Sequence, residues 1–312
     1  MDNLTHSLVG ALFGQMGLKR RTGLALPTLI LAANLPDIDA GCTIYGLRSL
    51  AMRRGLTHGP IALLLLPIVL AALVYGFDRW QARRGARPLA RPPVRFCWLL
   101  VLSYVGCLSH PALDWLNSYG IRLLEPFSSR WFYGDTLFII DIWIWAALAL
   151  AVGLSIRRER KRLAHWTWPA WTGFASVGVY ILANGFITGR AEAQASRVLA
   201  NRDGHAPELV VANPRPIAFW RREMLWRDGA RFGSGGYVIG KGLSFNPPRR
   251  NLSDKVDLDA LARSDPEIRA FLFWARMPVV EREGAAMYRL YDQRFAGQIM
   301  ASRFSLVFPV MR

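Results

Sequence analysis

The chain has 312 residues, 52% of them hydrophobic and 20% charged, a balance that excludes a disordered chain and fits poorly with a wholly soluble one. Lysine and arginine number 39 against 22 acids, a formal charge of +17, so the placement of the bases must decide between nucleic acid, anionic lipid and membrane topology signals. Cys42, Cys97 and Cys107 lack C-x-x-C spacing and read as packing residues, neither a disulfide framework nor a zinc ribbon.

Met1-Asp2-Asn3 lacks the basic start of a signal peptide, so no cleavage is expected and insertion must come from internal spans. Residues 4–18 and 23–35 are apolar but short, and each fits a thin span, a re-entrant hairpin or a buried helix. Residues 60–77 carry no charge, residues 137–156 carry only Asp141, and residues 96–116 and 168–188 have the same character; these four are predicted spans. The bases fall between them. Residues 79–95 hold six arginines and no acid, and residues 157–162 hold five bases and one acid. The positive-inside rule puts both segments in the cytoplasm, with Lys19-Arg20-Arg21 as a third patch and residues 36–57 and 117–136 outside. The lipid bilayer is then the partner, and the charge requires no nucleic acid.

From Arg190 the long apolar runs stop and turn-rich pieces such as Asn246-Pro247-Pro248 appear. Strands are predicted at residues 217–220, 236–239, 287–291 and 304–310, with one helix near residues 258–274. The predicted fold class is therefore mainly α: a polytopic transmembrane helical bundle over residues 1–189, then a C-terminal extramembrane α+β domain over residues 190–312. The same topology predicts a multi-pass inner-membrane protein with that domain in the periplasm.

The first 189 residues hold nine acids, of which Asp37, Asp39, Asp114, Asp135 and Asp141 sit in or at the ends of apolar segments, as do His6, His58 and His110. Ionisable groups so placed cost several kcal/mol unless paired or ligated. By the topology above, all of them fall at the outer face. His110 and Asp114 have the i, i+4 spacing that puts two side chains on one side of a helix, where they can clamp one metal. Asp37 and Asp39 project alike only if extended; in a turn, one can ligate while the other orients a histidine. Imidazole with carboxylate suits a divalent cation, Zn²⁺ first, with Mn²⁺ or Fe²⁺ as alternatives. His165 and His205 have no acid at ligand spacing and read as ordinary polar groups. Asp135 and Asp141 are equally suited to capping a helix or pairing with Arg130.

Thr5-His6-Ser7, Asn34-Leu35-Pro36-Asp37-Ile38-Asp39, Arg54-Gly55-Leu56-Thr57-His58 and the run from Leu108 to Gly120 occur in that order. In these motifs residues 1–156 resemble the bacterial inner-membrane, metal-dependent hydrolase family of the YdjM type. The resemblance implies metal ligation by His6, Asp37, His58, His110 and Asp114. It departs at Arg53, where an extra histidine is expected, and at Gly59, where serine is expected. The function it implies is hydrolysis of an ester or phosphoester of an amphiphilic, lipid-like substrate at the outer interface, with Asp39 or Asp141 as general base or as the orienter of a histidine. No Gly-x-Ser-x-Gly elbow offers a serine nucleophile. The alternative is a non-catalytic membrane protein, either a proton- or metal-coupled transporter or a stress-response scaffold. A conduit needs polar residues through the full thickness of its spans, whereas here they gather at one end.

Overall fold

A computed structural model describes residues 1–297 and 304–309. Its helices are α1 (Asn3–Gln15), α2 (Ala25–Asn34), α3 (Ser49–Met52), α4 (Pro60–Arg83), α5 (Phe96–Trp115), α6 (Ile142–Arg160), α7 (Trp168–Asp203), α8 (Leu258–Ser264) and α9 (Pro266–Trp274). The chain divides into two compact units, Met1–Asp39 with Arg54–Ala183, and Ala40–Arg53 with Asn184–Arg312. The division falls inside α7, and the excursion between Asp39 and Arg54 belongs with the C-terminal half.

In the first unit Asp2 caps α1, accepting the N–H groups of Leu4 at 3.0 Å and Thr5 at 3.1 Å. With 13 and 10 residues, α1 and α2 reach about 20 and 15 Å, short of a hydrocarbon core of about 30 Å. Residues 4–18 and 23–35 form packed helices: Leu12 of α1 and Leu29, Ala32 and Ala33 of α2 are buried. Glycines allow this burial. A Cβ on Gly10 of α1 would meet the Leu29 carbonyl oxygen at 2.7 Å, and one on Gly106 of α5 would meet the same oxygen at 2.8 Å and the Ala32 Cβ at 2.6 Å. Small residues thus let α2 approach both neighbours closely. Gly106→Ala is expected to destabilise the detergent-purified protein by about 1–3 kcal/mol in thermal melting. Gly76→Ala, where nothing lies within 4 Å of the new Cβ, should leave stability unchanged or raise it by up to about 1 kcal/mol.

Three helices among the described residues, α4, α5 and α7, are long and apolar enough to cross a membrane, with mean hydropathies of 2.4, 1.6 and 1.3. The fourth predicted span, residues 137–156, is not among these three and is helical only from Ile142. Asp141 accepts the N–H groups of Trp143 and Ile144 at 3.0 and 3.1 Å and so starts α6 only at Ile142. Arg157, Arg158, Glu159 and Arg160 close its far end with charge, and Glu159 there pairs with Arg20 of the basic patch after α1 at 3.6 Å. Leu64, Leu65, Val69 and Leu73 are exposed on α4, as expected of a lipid-facing surface. α5 is the more buried, and Leu99, Leu102 and Cys107 on it are wholly enclosed.

The second unit holds a sheet in the order β1 (Leu209–Pro214), β2 (Arg221–Asp228), β3 (Arg231–Val238), β4 (Gly242–Phe245), all antiparallel, with β5 (Arg249–Arg250) also paired to β3. A second sheet is the meander β6 (Pro278–Glu283), β7 (Met287–Asp292), β8 (Ser305–Pro309). The strand predicted at residues 287–291 is β7, and that at 304–310 is β8, with Val310 outside the described residues. The strand predicted at 217–220 is not formed. Ile217 has φ +67°, a left-handed conformation that a β-branched residue adopts only in a turn, and β2 starts only at Arg221. The single helix predicted near residues 258–274 is two. Asp265 caps α9, accepting the Glu267 N–H at 2.7 Å, and Pro266 at the first helical position separates it from α8.

Candidate metal centre

Asp37 follows the end of α2, His58 precedes the start of α4, and His110 and Asp114 lie one turn apart near the end of α5. All four are buried, and one ligand atom from each lies within 4.8 Å of the others. The helical spacing of His110 and Asp114 places Nε2 3.6 Å from Oδ2. His58 Nε2 lies 3.1 Å from His110 Nε2 and 3.7 Å from Asp114 Oδ2, and His110 Nε2 lies 3.7 Å from Asp37 Oδ1. Two nitrogens bound at about 2.0–2.1 Å to one tetrahedral ion would stand about 3.4 Å apart, so these separations suit a shared cation.

Tautomers sharpen the point. His110 Nδ1 is 2.7 Å from the Ala33 carbonyl oxygen, which can only accept, so the proton sits on Nδ1 and Nε2 keeps its lone pair. The Thr57 hydroxyl donates to Asp39 Oδ2 at 2.8 Å and lies 2.9 Å from His58 Nδ1, which therefore donates to it. Both Nε2 atoms then present lone pairs to one another in a dry site, an arrangement that is repulsive unless a cation lies between them. Burial holds the His58 imidazole down to about 4 although Asp39 opposes it, so its lone pair is available at neutral pH. Burial works against ionisation of Asp39, yet bonds from His58, Thr57 and the Arg54 N–H keep its carboxyl below the usual range.

Asp114 has cationic neighbours on both oxygens. Arg54 Nε lies 2.9 Å from Oδ2, and the Met1 amino group contacts Oδ1. His6 Nε2 is 3.3 Å from Oδ1 and its ring stacks on His110 with centroids 3.8 Å apart, yet neither His6 ring nitrogen makes a hydrogen bond. His6 thus stands beside the four converging donors rather than among them, a buried imidazole with coordinating capacity to spare. Arg54 is the residue that sequence reasoning overlooked. It is 3% exposed, donates from Nη1 to Asn117 Oδ1 at 2.9 Å and lies over the Tyr119 ring. Its place in the Arg-Gly-x-Thr-His motif was the available signal.

The two expected general bases part ways. Asp39 stands beside His58: Oδ2 accepts from the Arg54 N–H at 2.7 Å and from Thr57, and it lies 3.5 Å from His58 Nδ1. Asp141 lies outside the group, its Oδ1 capping α6 and its Oδ2 accepting the Tyr180 hydroxyl at 3.0 Å. Gly59 also finds its reason here, since a Cβ would come within 1.9 Å of the Glu125 carbonyl oxygen, and serine would displace that loop. Asp39→Asn, which weakens the hold on His58, is expected to lower metal affinity about 10–100-fold by competition with a chromophoric chelator while leaving the fold intact.

A profile of the family described as YdjM inner membrane protein matches residues 1–190. No protein of curated function and no solved structure matches the chain.

Proposed function

The chain belongs to the YdjM inner membrane protein family, and from that premise we propose that it is a membrane-bound metal-dependent hydrolase acting on an ester or phosphoester of an amphiphilic substrate. The observation that carries the reading is the convergence of Asp37, His58, His110 and Asp114 from three separate segments on one buried point. Zinc is the first choice, because the donor set is imidazole and carboxylate, and three of these four donors suffice for a tetrahedral ion that keeps one position for water.

A bound divalent ion would polarise the scissile group and lower the pKa of a water to about 7. The chain's own residues do the rest. Ala33 and the Thr57–Asp39 pair hold the two imidazoles in the tautomers that expose Nε2. Arg54 fixes Asp114 and would add positive charge next to the ion as negative charge develops on the substrate. His6 is available as a further ligand. The basic residues 79–95 and 157–162 favour a site at the outer interface and a periplasmic C-terminal domain.

A panel of phospholipids and lipid phosphates, presented to the detergent-purified protein, is the test. Turnover should stop on chelation, return with zinc and be missing from His110→Ala. Activity indifferent to chelator would overturn the proposal. Reporter fusions after Arg84 and Gly204 test the topology, and a cytoplasmic signal from the second would contradict it.

A further inference from the structure

At the opposite ends of α1, α2 and α5 from the metal cluster lies a second polar feature that the hydrolase reading does not use. A cavity of about 220 Å³ is lined by Arg20, Arg21, Thr22, Arg95 and Trp98 together with Pro92 and Pro93. We propose that this cavity binds the phosphate of an anionic phospholipid headgroup in the cytoplasmic leaflet.

Its walls are fixed. Thr22 Oγ1 accepts the Arg95 N–H at 2.7 Å, and the Gly23 N–H donates to the Pro93 carbonyl at 3.2 Å, tying the loop after α1 to the loop before α5. Gly23 is needed for this approach, since a Cβ there would lie 2.3 Å from the Pro92 carbonyl oxygen. Arg21 lies over the Trp98 ring at 5.1 Å, an arrangement that holds the guanidinium at the rim. Arg20 is partly neutralised by Glu159, 3.6 Å away. Among the described residues no carboxylate pairs with Arg21 or Arg95, so the cavity keeps two uncompensated positive charges. α2 and α5 both begin here, and their N-caps, Leu24 and Arg95, make no side-chain capping bond. Two helix N-termini therefore add positive potential to that of the arginines.

A phosphate matches this site in charge, and the setting selects a lipid as its bearer. Arg95 is followed directly by the apolar span α5, on which Phe96 and Val101 are exposed and suited to acyl chains. By the positive-inside rule this end is cytoplasmic, where anionic lipids attract juxtamembrane bases.

The test is a lipid titration of the full-length, detergent-purified protein read by native mass spectrometry, comparing phosphatidylglycerol with phosphatidylcholine. The wild type should retain phosphatidylglycerol preferentially. Each arginine close to the bound headgroup accounts for about a factor of five, so Arg21→Gln with Arg95→Gln should weaken retention about 25-fold, while Arg21→Lys with Arg95→Lys keeps most of it. Arg83→Gln with Arg84→Gln removes the same charge outside the cavity and should change retention by about twofold or less. Equal losses in the two glutamine pairs would overturn the site in favour of diffuse attraction. Equal retention of the two lipids would overturn the lipid assignment, as would displacement by glycerol phosphate at concentrations no higher than the lipid's. Zinc content and elution volume, measured in parallel, should match the wild type in every variant, which separates this proposal from the hydrolase reading.

Discussion

Replacing His110 by alanine is expected to take the metal content of the purified protein from stoichiometric to background. His110 supplies the Nε2 atom that approaches His58 at 3.1 Å, Asp114 at 3.6 Å and Asp37 at 3.7 Å, which puts it in the middle of the donor set. Loss of a group that merely orients a ligand costs about 10–100-fold in affinity, and loss of the ligand itself should exceed about 100-fold. The Ala33 carbonyl would lose its partner at a cost of about 1–3 kcal/mol, which leaves a folded protein to assay. His165→Ala and His205→Ala, at exposed positions, serve as controls and should retain metal like the wild type. Plasma emission spectrometry on protein purified without added chelator reads the difference. Full retention in His110→Ala would remove this histidine from the ligand set.

Asp114→Asn should be the most destabilising conservative change in the first unit. The carboxylate balances the Arg54 guanidinium and the Met1 amino group in a site from which water is excluded. Removing one partner of a buried pair costs about 3–5 kcal/mol, on the order of 10 °C in thermal midpoint for a unit of this size. Arg54→Met combined with Asp114→Leu removes both charges and should recover a large part of that loss, although metal binding stays abolished. Thermal melting of the three proteins under chelating conditions checks the sign and isolates the ion pair from the metal. A single Asp114→Asn variant as stable as the wild type would show that the pair contributes little.

Most of the centre was legible in the sequence because the membrane makes polar residues expensive. His110 and Asp114 interrupt an apolar run, and a helix can place them together only at i, i+4, so type and spacing together pointed to a clamp. In the turn after α2, Asp37 lies among the converging donors while Asp39 lies beside His58, one of the two arrangements open to them. Arg54 was not legible, because its burial depends on a left-handed backbone at φ +53° and on Asn117, which lies far along the chain. Asp141 read equally well as a functional acid or a cap, since capping depends on where α6 begins and hydropathy does not mark that point. Nor did composition show that residues 40–53 belong with the C-terminal half, where α3 packs on α9. Pairing between segments that distant leaves no periodic trace. β2 escaped notice because it opens with Arg221-Arg222-Glu223. Arg222 is nonetheless 1% exposed, its guanidinium taken up by Thr188 and Asn184 of α7.

X-ray absorption at the zinc edge of the zinc-loaded, detergent-purified protein tests the centre most directly. A first shell of nitrogen and oxygen at about 2.0–2.1 Å, with the outer-shell scattering of at least two imidazoles, is the expected result. A sulfur shell at about 2.3 Å, or a nitrogen and oxygen shell without imidazole scattering, would contradict it.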